Sequence, residues 1–496
     1  MSIARFNRRE VLALSLGAVA FAACSPSGSA PRVAPATTVP PTTVPVDPSR
    51  PWWLQGNYAP VEQEVTTTAL TVEGALPREL TGLYVRNGSN PRTGTSPHWF
   101  FGDGMVHGLR IERGQAQWYR NRYVRTPLYE ASMGFGTAPP GGTSTQSNVS
   151  CIRNGTSLLT SGEIGLPFAL SPSDLSTTGP FDFGGSLTTS MTAHPKVDPS
   201  TGLLHFFGYG FVPPYLTYHV ASSDGALLHS TEVPVPGPTM IHDFAITETD
   251  AVFWDLPVVF DLDAAIAYVN DPASSQFPFR WDPSYGARVG VLPLGGDGSS
   301  VRWSTLDEPC YVFHGVNAFR RGSDVVVDVC RLSSMFDPSE TGGLGGELTL
   351  RRWTVSDDTS TVRDDVVVGA SDDPGELPSR DPRVVGREHR YGYLVQNRPA
   401  TGSVDLGGVI KHDYSSGTRS TWDPGPTRHS GEWLFVPADD ARAEDEGWLM
   451  AFVHDEATGT SAFTVIDATD VAAGPVATVP IPQRVPYGFH ATWMPA

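Results

Sequence analysis

The stretch Gly322-Ser323-Asp324-Val325-Val326-Val327-Asp328-Val329 is a short β-branched run entered through a Gly-Ser turn, and it sets the pattern for most of the chain. Runs of the same kind recur at Ala69 to Val72, Gly82 to Arg86, Gly108 to Glu112, Leu203 to Phe207, Ala251 to Asp255, Trp448 to Val453 and Ala462 to Ile466. Each is flanked by Gly, Pro, Asn, Asp or Ser, residues that end strands and build turns. Helical periodicity is nearly absent; the best helical candidate is the short segment Leu262 to Val269. The reading is all-β.

The chain has 496 residues, 40% apolar and 18% charged, with 51 Gly and 44 Pro. That is enough apolar matter for a large core and too many turn residues for a helical bundle. So long an all-β body must manage its sheet edges, and radial repetition does so. A β-propeller of four-stranded blades fits the length, with up to about eight blades available; two stacked sandwiches are the alternative. Lys plus Arg number 34 against 53 Asp plus Glu, a net charge of -19, which repels phosphate backbones and argues against nucleic acid as a partner. Four cysteines without a CxxC pair make neither a disulfide framework nor a zinc ribbon, so any metal must be held by His and carboxylates. Cys151, Cys310 and Cys330 read as buried small hydrophobes.

The N-terminus reads as an address and a tether. Arg5, Arg8 and Arg9 precede an apolar run, Val11 to Ala23, that is too short to span a bilayer as a helix. Residues 1–23 are therefore read as an export signal, with Arg8-Arg9 similar to a twin-arginine signal and Phe21-Ala22-Ala23-Cys24 similar to a lipoprotein processing site. Residues 24–50 are rich in Pro, Ser and Thr and nearly uncharged, a composition that stays extended. This places a single folded domain, residues 51–496, on a stalk at the outer face of the cytoplasmic membrane, anchored through lipidated Cys24.

Four histidines stand at the edges of strand-like runs after apolar or small residues: His194 in Met191-Thr192-Ala193-His194-Pro195, His242 in Met240-Ile241-His242-Asp243-Phe244, His314 in Val312-Phe313-His314-Gly315, and His490 in Gly488-Phe489-His490-Ala491. A buried imidazole there needs partners for both ring nitrogens. Taken singly, each reads more readily as a satisfied core histidine than as a metal ligand, and their wide spacing makes no local motif.

Longer segments carry a resemblance. Asn87-Gly88-Ser89-Asn90-Pro91 followed by His98-Trp99-Phe100-Phe101-Gly102-Asp103-Gly104-Met105-Val106-His107-Gly108 resembles the N-terminal signature of the carotenoid cleavage oxygenases, which include apocarotenoid and lignostilbene oxygenases. Thr192-Ala193-His194-Pro195, Ile241-His242-Asp243-Phe244, Phe313-His314-Gly315-Val316-Asn317-Ala318 and Tyr487-Gly488-Phe489-His490 resemble that family's four iron-ligand segments, in the same order. The resemblance implies a seven-bladed propeller with one Fe(II) per chain on its axis, held by His194, His242, His314 and His490, and loops and short helices capping the substrate entrance. It also implies that Glu163, Glu376 and Glu432 hydrogen-bond ligand imidazoles, each fixing a tautomer and raising ligand basicity. Val149 stands where several relatives have a Thr that restricts one open iron position. Gly162 stands where stilbene-cleaving relatives have a Lys that helps bind a phenolic oxygen.

Four neutral imidazoles leave a ferrous ion its full charge and open positions for O2. With no thiolate, flavin motif or GxGxxG in evidence, the electrons come from the substrate. The reaction implied is cleavage of a conjugated double bond of an apolar polyene, a carotenoid or apocarotenoid, by O2 into two carbonyl products. Phe100, Phe101, Phe211, Tyr215, Phe244, Phe277, Phe279 and Trp281 are the aromatic residues available to line its tunnel or to serve as propeller core, with Phe211 to Tyr215 and Phe277 to Trp281 also candidates for an apolar rim on a membrane. The alternatives are a stilbene-type dioxygenase, a propeller that binds a lipophilic ligand without chemistry, and an isomerase or hydrolase using the same centre.

Overall fold

The computed structural model describes residues 47, 49–131, 142–270, 277–337, 345–370, 375–398 and 404–496. The segment read as an export signal, Cys24 and nearly all of the segment 24–50 read as a tether lie outside the described residues.

Seven antiparallel sheets of four to six strands form the ring of a β-propeller. From axis to rim, blade 1 comprises Ala491–Pro495, Gly82–Arg86, Met105–Glu112, Gln115–Tyr123 and Thr66–Thr67. Blade 2 is Ser150–Asn154, Ser157–Ser161, Phe168–Leu170 and Thr177–Pro180; blade 3 is Lys196–Val197, Leu204–Tyr209, Leu216–Ala221 and Leu227–Glu232. Blade 4 is Phe244–Ile246, Asp250–Asp255, Arg288–Pro293 and Arg302–Thr305. Blade 5 is Tyr311–Arg321, Asp324–Leu332, Leu348–Val355 and Val362–Val366, and blade 6 is Gly375–Ser379, Tyr391–Arg398, Asp405–Asp413 and Thr418–Trp422. Blade 7 is Leu434–Pro437 with Arg428–His429, then Gly447–Asp455, Thr460–Asp467, Pro475–Ile481 and Glu73–Gly74.

The two ends of the body share blade 1: the last strand pairs with Gly82–Arg86 from Gly82↔Pro495 to Arg86↔Ala491. The ring is thus closed by hydrogen bonds between strands from opposite ends of the chain, and the sheet edges that remain are short and face the axis or the rim. The run Ala69 to Val72 is not the strand its composition suggests. Thr66–Thr67 pairs on the rim of blade 1 and Glu73–Gly74 on the rim of blade 7, so the residues between cross from one sheet to the next and have no ladder to join. The other quoted runs all fall within or overlap strands, and the helical candidate is a helix, Leu262–Asn270.

That helix belongs to an insertion in blade 4, which also carries a hairpin of Val258–Phe260 and Phe279–Trp281. Thr239 bridges Val259, and Met240 N–H donates to Val258 O, so the insertion sits on the face where the innermost strands begin. The turn Trp99–Phe101 reaches the same face, where Phe100 packs near Phe313 and Phe489. Among the described residues no helix is long and apolar enough to cross a membrane.

Candidate metal centre

The innermost strands converge on the axis, so a side chain at the start of each can meet side chains from every other blade. His194 stands two residues before Lys196–Val197, His242 two before Phe244–Ile246, and His490 immediately before Ala491–Pro495. His314 lies early in Tyr311–Arg321, where the ladder register shifts on both sides of Gly315. All four histidines are buried and together offer four ligand nitrogens within 4.8 Å of one another. Chain segments far apart in sequence are brought together because each opens the inner edge of a blade.

The carboxylates come from the remaining blades. Glu163, following Ser157–Ser161 in blade 2, lies 2.8 Å through Oε2 from His242 Nδ1. Glu376, in blade 6, lies 2.6 Å from His314 Nδ1. Glu432, entering blade 7, lies 3.2 Å from His490 Nδ1 and also accepts the Ala491 N–H at 2.7 Å. The pairings that the sequence left open are therefore Glu163 with His242, Glu376 with His314 and Glu432 with His490. Among the described residues His194 has no carboxylate within ion-pair reach.

With an Nδ1 proton donated to each carboxylate, the opposite nitrogen of each ring has only a lone pair to present. Two of those nitrogens face each other, His314 Nε2 and His490 Nε2 at 3.1 Å, and His194 Nε2 lies 2.9 Å from the third, His242 Nε2. Lone pairs held that close repel unless a cation lies among them, and such separations match neighbouring ligands at about 2.1 Å from one ion. The donor set fits a divalent transition metal of intermediate softness.

The electrostatics favour the neutral imidazole at two of the four rings. Burial, and then the neighbouring rings, keep His194 and His314 well below the ordinary histidine range. Burial acts on His242 as well, but the charge and hydrogen bond of Glu163 outweigh it and raise that ring. Burial pushes the Glu376 carboxyl up to about 7. Placing a divalent cation against these rings favours the ionised carboxylate and the neutral imidazole together, so metal and carboxylates reinforce one another.

Val149 is half-buried beside this centre. Its N–H donates 2.9 Å to Ser161 O, and its carbonyl accepts the His490 N–H at 3.1 Å. Its side chain packs with the cluster that contains Trp99, Phe100 and Phe489. Phe313 lies edge-on to His242 with ring centres 5.1 Å apart, and Phe100 is 6.3 Å from Phe313. Farther out, His98, Phe101 and Phe336 surround Phe277, and Phe211 stacks on Phe260 at 4.0 Å. Phe279 lies between these groups, 5.9 Å from both Phe277 and Phe211, while Trp281 and Tyr215 are half-buried. Phe244 is different: it is fully buried against Phe207 and Phe253 and is blade core.

Two neighbours escaped the sequence reading. Tyr209 donates its hydroxyl to Glu163 Oε1 at 3.0 Å, and Phe313 packs on a candidate ligand. Phe313 was adjacent to a quoted histidine and could have been singled out; Tyr209 had no signal beyond lying in a strand. The three thiols are buried and free.

A family model described as "Retinal pigment epithelial membrane protein" matches residues 58–495. A "Carotenoid cleavage oxygenase" of Mycobacterium tuberculosis is 35% identical over 508 aligned positions, covering 92% of this chain and 99% of that protein. A "Carotenoid 9,10(9',10')-cleavage dioxygenase 1" of Arabidopsis thaliana is 34% identical, covering 89% of each. Among solved structures, a lignostilbene dioxygenase of Pseudomonas brassicacearum superposes with a TM-score of 0.80 at 28% identity, covering 90% of this chain and 99% of that one. An apocarotenoid oxygenase of Synechocystis gives 0.79 at 26% identity, covering 90% and 98%.

Proposed function

The chain belongs to the carotenoid cleavage oxygenase family, and from that premise we propose that it is a non-haem Fe(II) dioxygenase that splits a conjugated double bond of a carotenoid or apocarotenoid into two carbonyl fragments. The observation that carries the reading is the convergence of four imidazole nitrogens on the propeller axis with carboxylates behind three of them. His194, His242, His314 and His490 would hold the ion. A ferrous ion there supplies O2 activation, with the polyene as the electron source.

The protein's own groups do the rest. Glu163, Glu376 and Glu432 hold ring protons at Nδ1 and fix ring orientation. Val149 restricts one side of the centre with apolar bulk. Phe313 and Phe100 offer aromatic faces close to the histidines, suited to orienting a flat polyene and excluding water.

A stilbene-type substrate is the second reading, favoured by the lignostilbene dioxygenase among the structural neighbours. Gly162 weighs against it. A Cβ there would lie 2.6 Å from Thr145 Oγ1 and 3.2 Å from the Ser147 N–H nitrogen, so a lysine stem could enter only if this loop moved. The test is incubation with a carotenoid, an apocarotenoid and a hydroxystilbene under labelled O2, with mass spectrometry of the products. Two carbonyl fragments from a polyene, with label incorporated, support the reading. Cleavage of the stilbene alone would select the second. Polyene retained intact, or isomerised without label, would select binding or non-oxidative chemistry.

We also propose that the chain is exported and lipid-anchored through Cys24, with the folded body close to membrane-dissolved substrate.

A further inference from the structure

Among the described residues His194 is the ligand candidate without a carboxylate of its own, yet it is buried to the same degree as the other three. Something else must fix it. Both flanks of its segment are tied to the neighbouring blade. Thr192 Oγ1 donates to His242 O at 3.3 Å and accepts the His194 N–H at 3.3 Å. On the other side, Lys196 Nζ donates to Asp243 Oδ1 at 2.6 Å.

Asp243 does more than hold Lys196. The same Oδ1 accepts the Phe244 N–H at 2.7 Å, which fixes the start of the strand following His242. Oδ2 accepts the Gly315 N–H at 2.9 Å, which fixes the residue following His314 in blade 5. Gly315 is at the point where the blade 5 ladder shifts register, and a Cβ there would meet Trp254 Cη2 at 2.8 Å. The absence of a side chain lets this backbone lie against blade 4, within reach of Asp243. Asp243 is 1% exposed and the Lys196 side chain 11%, so the pair is shielded from water and its charge-assisted bonds are short.

We propose that Asp243 is a positioning residue that clamps the His194, His242 and His314 segments into one unit, with Lys196 as its arm to His194. The three glutamates set ring rotation and tautomer; Asp243 sets where three of the backbones stand. Both its oxygens are committed to these donors, and it lies outside the group of four nitrogens, so it acts through the ligands and does not replace one. The inference rests on the metal reading of the four histidines.

The test uses the full-length chain loaded with Fe(II) or Co(II), comparing the parent with Asp243→Asn, Asp243→Ala, Lys196→Met and Lys196→Arg, each checked for native thermal unfolding. Two quantities are read: the rate of metal loss to a chelator and the visible absorption bands of the Co(II) form. We expect metal loss about 10–100-fold faster in Asp243→Ala, the range seen when groups behind metal ligands are removed, with shifted Co(II) bands. Lys196→Met should show a smaller change of the same kind, and Lys196→Arg should restore the parent spectrum. Parent-like retention and parent-like bands in both Asp243→Ala and Lys196→Met would overturn the clamp. If Asp243→Ala does not fold, Lys196→Met carries the same comparison alone. A parent chain that takes up no metal overturns the centre and the clamp with it, whereas a metal-binding parent with unaffected variants overturns only the clamp.

Discussion

Glu376 faces His314 Nδ1 with one oxygen, and that same oxygen also accepts the Leu377 N–H. Glu376→Gln keeps an acceptor in place but removes the charge that supports a cationic centre, and metal retention should fall about 10–100-fold. Chelator competition on folded protein measures this, and retention equal to the parent would remove Glu376 from the centre. Val149 makes a milder case. Val149→Thr conserves shape and should leave polyene cleavage near the parent rate, whereas Val149→Ala opens the space and should change rate or product distribution; indistinguishable products from all three would deny it a steric role. At this scale the sequence was informative wherever a residue lies in a segment resembling the family's motifs, as the four histidines do. It could not assign Glu163 to His242, because that pairing arises from two blades meeting at the axis. Asp243 was in plain view beside His242, but its bonds to Lys196 and Gly315 cross three strands.

The loop leading into blade 2 carries Val149, and its seating shows how elements fix the centre. Asn148 Nδ2 donates to Phe100 O and Gly102 O at 2.9 and 2.8 Å, and Ser147 Oγ pairs with Thr160 Oγ1 at 2.8 Å. Thr145 Oγ1 accepts the Ser147 N–H while lying against Gly162. Gly162→Ala would force this loop outward, at a cost of about 1–3 kcal/mol typical of overpacking. Thermal or denaturant unfolding tests it, and a neutral result would mean the loop is freer than its hydrogen bonds imply. Strand runs such as Gly82–Arg86 and Asp250–Asp255 were legible because their local composition and their pairing agree. Ala69 to Val72 misled because its β-branched and apolar residues bridge two sheets instead of joining one. Phe244, open in sequence between tunnel lining and propeller core, is core, because strand alternation at that point turns it into the blade, away from the axis.

Across the whole molecule, the ring holds many histidines in their neutral form. His205, His219, His412 and His454 are buried within blades, and desolvation lowers each to about 4. Their unfolded value is about 6.5, so the unfolded chain binds more protons than the folded one between these limits. Their contribution is intact above about pH 6.5 and is lost as pH falls toward 4, by on the order of 2 kcal/mol for each ring. The unfolding temperature of the metal-free chain should therefore drop over that interval, and a flat profile from pH 7 to 4 would contradict the burial of these rings. The blade number became readable through the resemblance and not through composition, since no short repeat marks the blades. The proposed export signal follows a different logic, being local in sequence. Cys24→Ser should move the protein from the membrane fraction to the soluble one in a cell that processes lipoproteins, and unchanged membrane association would refute the anchor.

A cation held at the axis by imidazoles from four blades is the core of the proposed function. Metal analysis of the full-length chain, purified without added chelator, tests this most directly when run beside a variant in which His194, His242, His314 and His490 are all replaced by Ala. The predicted result is about one iron per parent chain and essentially none in the folded variant. Iron-free parent protein that cleaves a polyene, or a variant that keeps its iron, would contradict it.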